Sequence, residues 1–190
     1  MGKSGLSRRQ FVGTIAAGAG TLSLASASRL FASGSVSIAP TLKNVWVKAK
    51  EYTMEFAQAM PGEKYGFKPT KEVFSFAEQL LHIAGGNYWF FSALKGEKPP
   101  VPEEELKSEG KSKEDVLKIL EDSFALGDGY VEGLTDEVAN EEMAVGKNKT
   151  IKWKVVLFAV DHLTHHRGQM VVYLRLNGMK PPEYRSGFWG

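Results

Sequence analysis

Residues 151–178 read IKWKVVLFAVDHLTHHRGQMVVYLRLNG, and the reading of this stretch decides the fold. It is apolar-rich, with Thr150 placed before it as an N-cap, Gly178 at the C′ position and Pro181-Pro182 beyond. These start and stop signals predict one long helix, about Ile151 to Asn177. Within it His162, His165, His166 and Gln169 are spaced three and four apart, so their side chains share a helix face. An i, i+4 pair of imidazoles is a common way for a helix to offer two ligands to one metal ion. The pattern is not that of the H-E-x-x-H proteases, because Leu163 follows His162 and no Glu lies between the pair.

Working back along the chain, three more amphipathic segments can be drawn. The first runs from Pro40 to Met60, with Leu42, Val45, Trp46, Ala49, Tyr52 and Phe56 at helical spacing, and Pro61-Gly62 ends it. The second runs from about Lys71 to Leu94, with Thr70 as its N-cap and Gly96 and Pro99-Pro100 closing it. A charged linker, Val101 to Lys111, leads to Ser112 and Asp115, which stand at capping-box spacing before a third helix carrying Val116, Ile119, Leu120 and Phe124. Gly127, Gly129 and Gly133 cost that helix about 1 kcal/mol each against alanine, which predicts a kink or an early end. No convincing strand alternation appears, so the fold class is all-α, a four-helix bundle over residues 36–190. Gly146-Lys147-Asn148-Lys149-Thr150 lacks the glycine and Lys-Ser/Thr pattern of a phosphate loop and reads as turn and helix cap.

The chain has four histidines, and the fourth, His82, sits on the second predicted helix. Gly85-Gly86 follow one turn later, and two adjacent glycines inside a helix predict close approach of another group to that face. Facing helices of a bundle are where such metal sites are built. His82 with two imidazoles of the last helix completes a three-histidine set with a coordination position left for water or substrate. Spacing allows either His165 or His166 to accompany His162. The competing reading is a solvent-facing cluster, which the apolar neighbourhood of Val155, Val156, Val160 and Met170 disfavours. Trp46, Trp89, Phe90 and Phe91 serve equally as core or as the lining of a ligand site.

The 190 residues hold 24 Lys and Arg against 22 Asp and Glu, a formal charge of +2. Lys3, Arg8 and Arg9 fall in the first 27 residues, where there is no acid, so the remainder is near neutral and a nucleic-acid partner gains no support. Absence of cysteine excludes disulfides, thiolate ligands and a cysteine nucleophile. Residues 1–35 read as an export leader and linker: a basic start, an uncharged small-residue stretch from Phe11, and Ala25-Ser26-Ala27 as a cleavage site after Ala27. Ser7-Arg8-Arg9-Gln10-Phe11-Val12 resembles the twin-arginine signal, which predicts the twin-arginine export machinery as a partner and a periplasmic location. No stable membrane span is expected after processing, since that stretch is only weakly hydrophobic.

His162-Leu-Thr-His165-His166-Arg167-Gly168-Gln169, with Tyr173-Leu174-Arg175 and Gly178-Met-Lys-Pro181-Pro182, resembles the last helix of the DinB/YfiT-like proteins. Phe74 to Phe90, around Glu78, His82 and Asn87, is similar to that family's second helix. The resemblance covers most of the chain from Pro40 onward. It implies an up-down-down-up bundle, a homodimer, and a divalent metal ion held by His82, His162 and His166, with His165 outside the triad. It also implies a small-molecule substrate and either metal-dependent hydrolysis or transfer of thiols such as bacillithiol and mycothiol. An export leader ranks thiol transfer below hydrolysis, because such thiols belong to a reducing cytosol. A non-catalytic metal- or ligand-binding bundle is the third reading. Imidazole ligands suit zinc, nickel or iron. Glu78 and Gln169, one turn from ligand positions, are weak candidates for orienting a water or a ligand ring. Asp161 and Arg167 are expected near the surface or in ion pairs, and Arg175 either in a structural pair or facing an anionic substrate.

Overall fold

Ser75 and Ser112 begin two helices by the same device. In each, the serine hydroxyl accepts from the backbone N–H three residues on, and the acid there, Glu78 or Asp115, accepts from the serine's own N–H. This capping box satisfies two amide donors that the helix itself leaves free. The computed structural model describes residues 37–184. The leader read from residues 1–35, with its cleavage site, lies outside the described residues.

Among the described residues there are four long helices: α1 (Ala39–Ala59), α2 (Phe76–Lys95), α3 (Lys113–Glu132) and, after a four-residue helix α4 (Asp136–Ala139) and a hairpin, α5 (Lys152–Leu176). Pairwise contacts give their directions. Asn87 bonds Ser123 and Phe91 meets Tyr130, so α2 and α3 run parallel. Gln79 reaches His166 and Phe90 reaches Phe158, so α2 and α5 run antiparallel. Trp46 bonds Asp128 while Lys113 bonds the carbonyl of Met60, so α1 and α3 are antiparallel. The order is therefore up-down-down-up, an all-α bundle in which α1 and α2 each lie between α3 and α5.

Several local expectations are corrected. Helix α2 starts at Phe76, not Lys71, because Ser75 has Glu78 at the third position and completes a box, whereas Thr70 has Val73 there. Thr150 does not cap the last helix: it pairs with Met143 in a two-stranded hairpin, β1 (Glu142–Val145) and β2 (Asn148–Ile151), turned at Gly146 with φ 60°. The strands are four residues long, too short for alternation to stand out. Helix α3 runs through Gly127 and Gly129 to Glu132, since a side chain on Gly127 would overlap the rings of Trp46 and Phe91 that pack there. The C-terminal expectation holds: Gly178 has φ 76°, and Met179 N–H donates to the Leu174 carbonyl at 2.9 Å.

Trp46, Phe56, Phe91, Phe124 and Leu163 form the centre of the core, with the Trp46 and Phe91 rings edge to face at 4.6 Å. Asp136 closes one end, its Oδ1 accepting from the amides of Ile38 and Ala39 at 2.9 and 2.8 Å. Arg167 is buried, contrary to expectation. Its guanidinium donates to the Ala49 carbonyl, Thr53 Oγ1 and Thr164 Oγ1 and lies over the Tyr52 ring, tying α5 to α1. Among the described residues no helix is long and apolar enough to cross a membrane.

Candidate metal centre

Antiparallel packing of α2 on α5 sets His82 opposite the turn that carries His162 and His166. Gly86 lets α2 and α5 close, and Gly85 admits the segment that crosses from α2 to α3. A Cβ on Gly86 would stand 2.6 Å from His162 Cε1, and one on Gly85 would stand 3.0 Å from Leu106 Cδ1. The imidazole of His162 occupies the space a side chain would have taken.

One ring nitrogen from each of His82, His162 and His166 lies within 4.8 Å of the others. His162 Nε2 is 3.2 Å from His82 Nε2 and 3.2 Å from His166 Nε2. Two imidazoles bound tetrahedrally to zinc at about 2.0–2.1 Å would have their nitrogens about 3.3 Å apart. The two separations from His162 thus match a shared ion of that size. His166 is buried, His162 is half-buried and His82 is exposed, so the cluster is closed behind and open on the His82 side. Burial, reinforced by the neighbouring imidazoles, pushes His166 down to about 3 and His162 down to about 4, and it also lowers His82. All three rings are neutral at pH 7, the form that can donate a lone pair to a metal.

Gln79, 1% exposed, fixes the deepest ring. Its Oε1 accepts from His166 Nδ1 at 2.6 Å, which leaves His166 Nε2 as a lone pair aimed into the cluster. The Gln79 amide nitrogen donates to Gln169 Oε1 at 2.6 Å, and Gln169 Nε2 donates to His165 Nε2 at 2.7 Å. Gln169 thus supports a ring at one remove, and His165 stands outside the three-nitrogen cluster. His162 Nδ1 is buried without a hydrogen-bond partner, so that ring is held by shape, between Gly86 and the edge of Phe90 at 5.6 Å. Glu78 has no part in this. Its carboxylate is bonded to Ser75 and paired with Lys68 at 2.8 Å. Gln79 is the residue that spacing undervalued; its position three before His82, turned to the interior of α2, was the available signal.

A cleft of about 780 Å³ opens beside His82 and His162, between α2, α5 and the segment that crosses from α2 to α3. Trp89 and Phe90 line it, while Trp46 and Phe91 belong to the core. Arg175 is exposed on α5 and does not line the cleft.

A family model described as DinB family matches residues 34–187. The structure of a DinB-like protein, YjoA, from Bacillus subtilis is similar at 23% identity and a TM-score of 0.61, covering 77% of this chain and 99% of that one. A DinB-like protein from Bacillus cereus ATCC 10987 is similar at 16% identity and a TM-score of 0.64, over 78% of this chain and 98% of that one. A conserved protein from Enterococcus faecalis gives 18% identity and a TM-score of 0.57, over 73% and 96%. No curated protein matches the chain.

Proposed function

The chain belongs to the DinB family, and on that premise we propose that it is a metal-dependent hydrolase whose divalent ion is held by His82, His162 and His166. The observation that carries the reading is the convergence of three neutral imidazole nitrogens at the edge of an open cleft. What such an ion supplies is Lewis acidity and a bound water acidified towards pH 7. Three protein ligands leave a position for that water, as in catalytic zinc sites, and zinc, nickel and iron all suit the donor set.

The chain's own residues do the rest. Gln79 holds His166 in the tautomer that presents Nε2. Gly86 and Phe90 fix the plane of His162. His82, with the Phe74 ring 5.5 Å away, forms the side from which a small-molecule substrate enters. Export by the twin-arginine route into the periplasm and assembly as a homodimer complete the proposal; its support is the Arg8-Arg9 leader for the first and the resemblance for the second.

The test is metal analysis of protein purified without added metal, followed by removal with a chelator and stepwise return. One equivalent per chain, with ester or amide hydrolysis that rises in proportion to bound metal, is the expected result. Stoichiometric metal with no turnover across acyl substrates would leave a binding bundle in place of an enzyme.

A further inference from the structure

We infer that the cleft beside the three histidines takes an uncharged small molecule with an aromatic body, its ester or amide group lying towards His82 and His162. The inference rests on the proposed hydrolytic use of that site and adds the class of substrate. Hydrolysis of such a molecule joins the water oxygen to the acyl carbon and breaks the acyl–oxygen or acyl–nitrogen bond. The departing alcohol or amine takes the proton.

Three aromatic residues carry the first part of the argument. Phe74 is 46% exposed, Trp89 46% and Phe158 57%, and they come from the loop before α2, from α2 itself and from α5. A single exposed ring would mean little, but all three line one concave surface. Between them Gly85 and Gly86 offer only backbone on α2, with the His162 ring lying against Gly86 and Leu106 against Gly85. A volume of about 780 Å³ accommodates a body of two or more rings.

Charge carries the second part. Four charged side chains reach the cleft: Glu78, Glu103, Lys107 and Glu109. Glu78 is already neutralised by Lys68. Away from the histidine end the remaining rim has two carboxylates and one ammonium, and no arginine lines it, so an anionic group on the far part of the ligand would meet net like charge, while a divalent ion would add positive charge only at the histidines. That disfavours a carboxylate carried on the aromatic body and leaves an uncharged aromatic body as the best match to the walls.

The experiment measures binding of N-(2-naphthyl)acetamide and of its 6-carboxylate to the full chain, metal-free and zinc-loaded, by calorimetry. In the metal-free chain the neutral probe should bind about tenfold more tightly than the carboxylate. Trp89→Ala and Phe158→Ala should each weaken it by about tenfold, with zinc stoichiometry unchanged. Glu103→Gln combined with Glu109→Gln should narrow the preference. Equal or tighter binding of the carboxylate, or indifference to both aromatic variants, would overturn the inference. So would an affinity that falls as protein concentration rises, since a second copy would then be covering the cleft. Selective binding of the neutral probe without hydrolysis of any aryl ester or amide would sink the hydrolase reading and keep this one. Turnover confined to anionic esters would do the reverse.

Discussion

The imidazole of His162 lies where the side chain of residue 86 would begin, 2.6 Å from a Cβ built on Gly86. Helix propensity alone would favour alanine there by about 1 kcal/mol. The glycine therefore serves the ring and not the helix.

Gly86→Ala should accordingly separate stability from binding. A ring at the end of a side chain can move aside, so the melting temperature should change little. His162 Nε2 would leave its place, and metal affinity should fall by about 10–100-fold, the range for lost positioning partners. Equilibrium dialysis with zinc beside thermal unfolding checks both halves; unchanged affinity would show that the close packing is incidental.

The adjacent histidines should behave differently from one another. His82→Ala, His162→Ala and His166→Ala should each abolish stoichiometric metal while circular dichroism reports an intact bundle. His165→Ala should keep most of the metal, because its Nε2 is engaged by Gln169 at 2.7 Å. Loss of metal in His165→Ala with retention in His166→Ala would move the site to the other edge of α5.

Gln79→Leu removes the acceptor for His166 Nδ1 and the donor to Gln169 in one step. Leaving such buried groups unpaired costs about 1–3 kcal/mol. Urea unfolding should show that loss, and metal affinity should drop by about 10–100-fold. Gln79→Glu keeps an acceptor facing Nδ1 and should retain metal, so equal defects in the two variants would argue against the tautomer role.

Acid should destabilise the metal-free protein before its carboxylates titrate. In the folded chain His162 lies at about 4 and His166 at about 3, whereas in the unfolded chain both take protons near 6.5. Between those values the unfolded state holds more protons, so stability is full above about 6.5 and falls as pH drops towards the folded values. The window from pH 7 to 5 isolates this effect from Glu78 and Asp136, whose pKa values are lowered. Unfolding midpoints in urea should decline across it, and a His162→Gln, His166→Gln double variant should show a flatter profile.

Export is checked by Arg8→Lys with Arg9→Lys. The unprocessed chain should accumulate in the cytoplasm, and normal processing of the double variant would mean that the leader is read another way.

Where signals were local, the chain could be read directly. The Ser112–Asp115 box, the Gly178 stop and the four long helices follow from neighbours within a turn or two. The facing of His82 with His162 was legible because four histidines are few and two glycines marked a close approach. What could not be read depended on distant partners. Arg167 looked like a surface cation, and only the carbonyl of Ala49 and the hydroxyl of Thr53 on α1 make its burial possible. Gln79 resembled any helix-face amide until Gln169 and His166 were set against it. Thr70 was read as the cap of α2, whereas Ser75 is the cap because of the single residue three places further on, Glu78.

The parallel course of α2 and α3 has a consequence for how such a protein diversifies. A chain leaving the end of α2 must travel back along the bundle before α3 can begin. Helix α2, with 20 residues, is about 30 Å long, a distance that about nine extended residues can span. Residues 96–112 supply roughly twice that, and the slack is coiled into the short turn Glu103–Leu106, which forms one wall of the cleft. Beyond length, the bundle asks of this segment that Val101 and Leu106 pack against the core. Insertions, deletions and exchanges there can reshape what the cleft admits while the helices, the core and the three histidines are left alone. Selectivity and foldability are thereby written in separate parts of the chain, and one can drift without endangering the other.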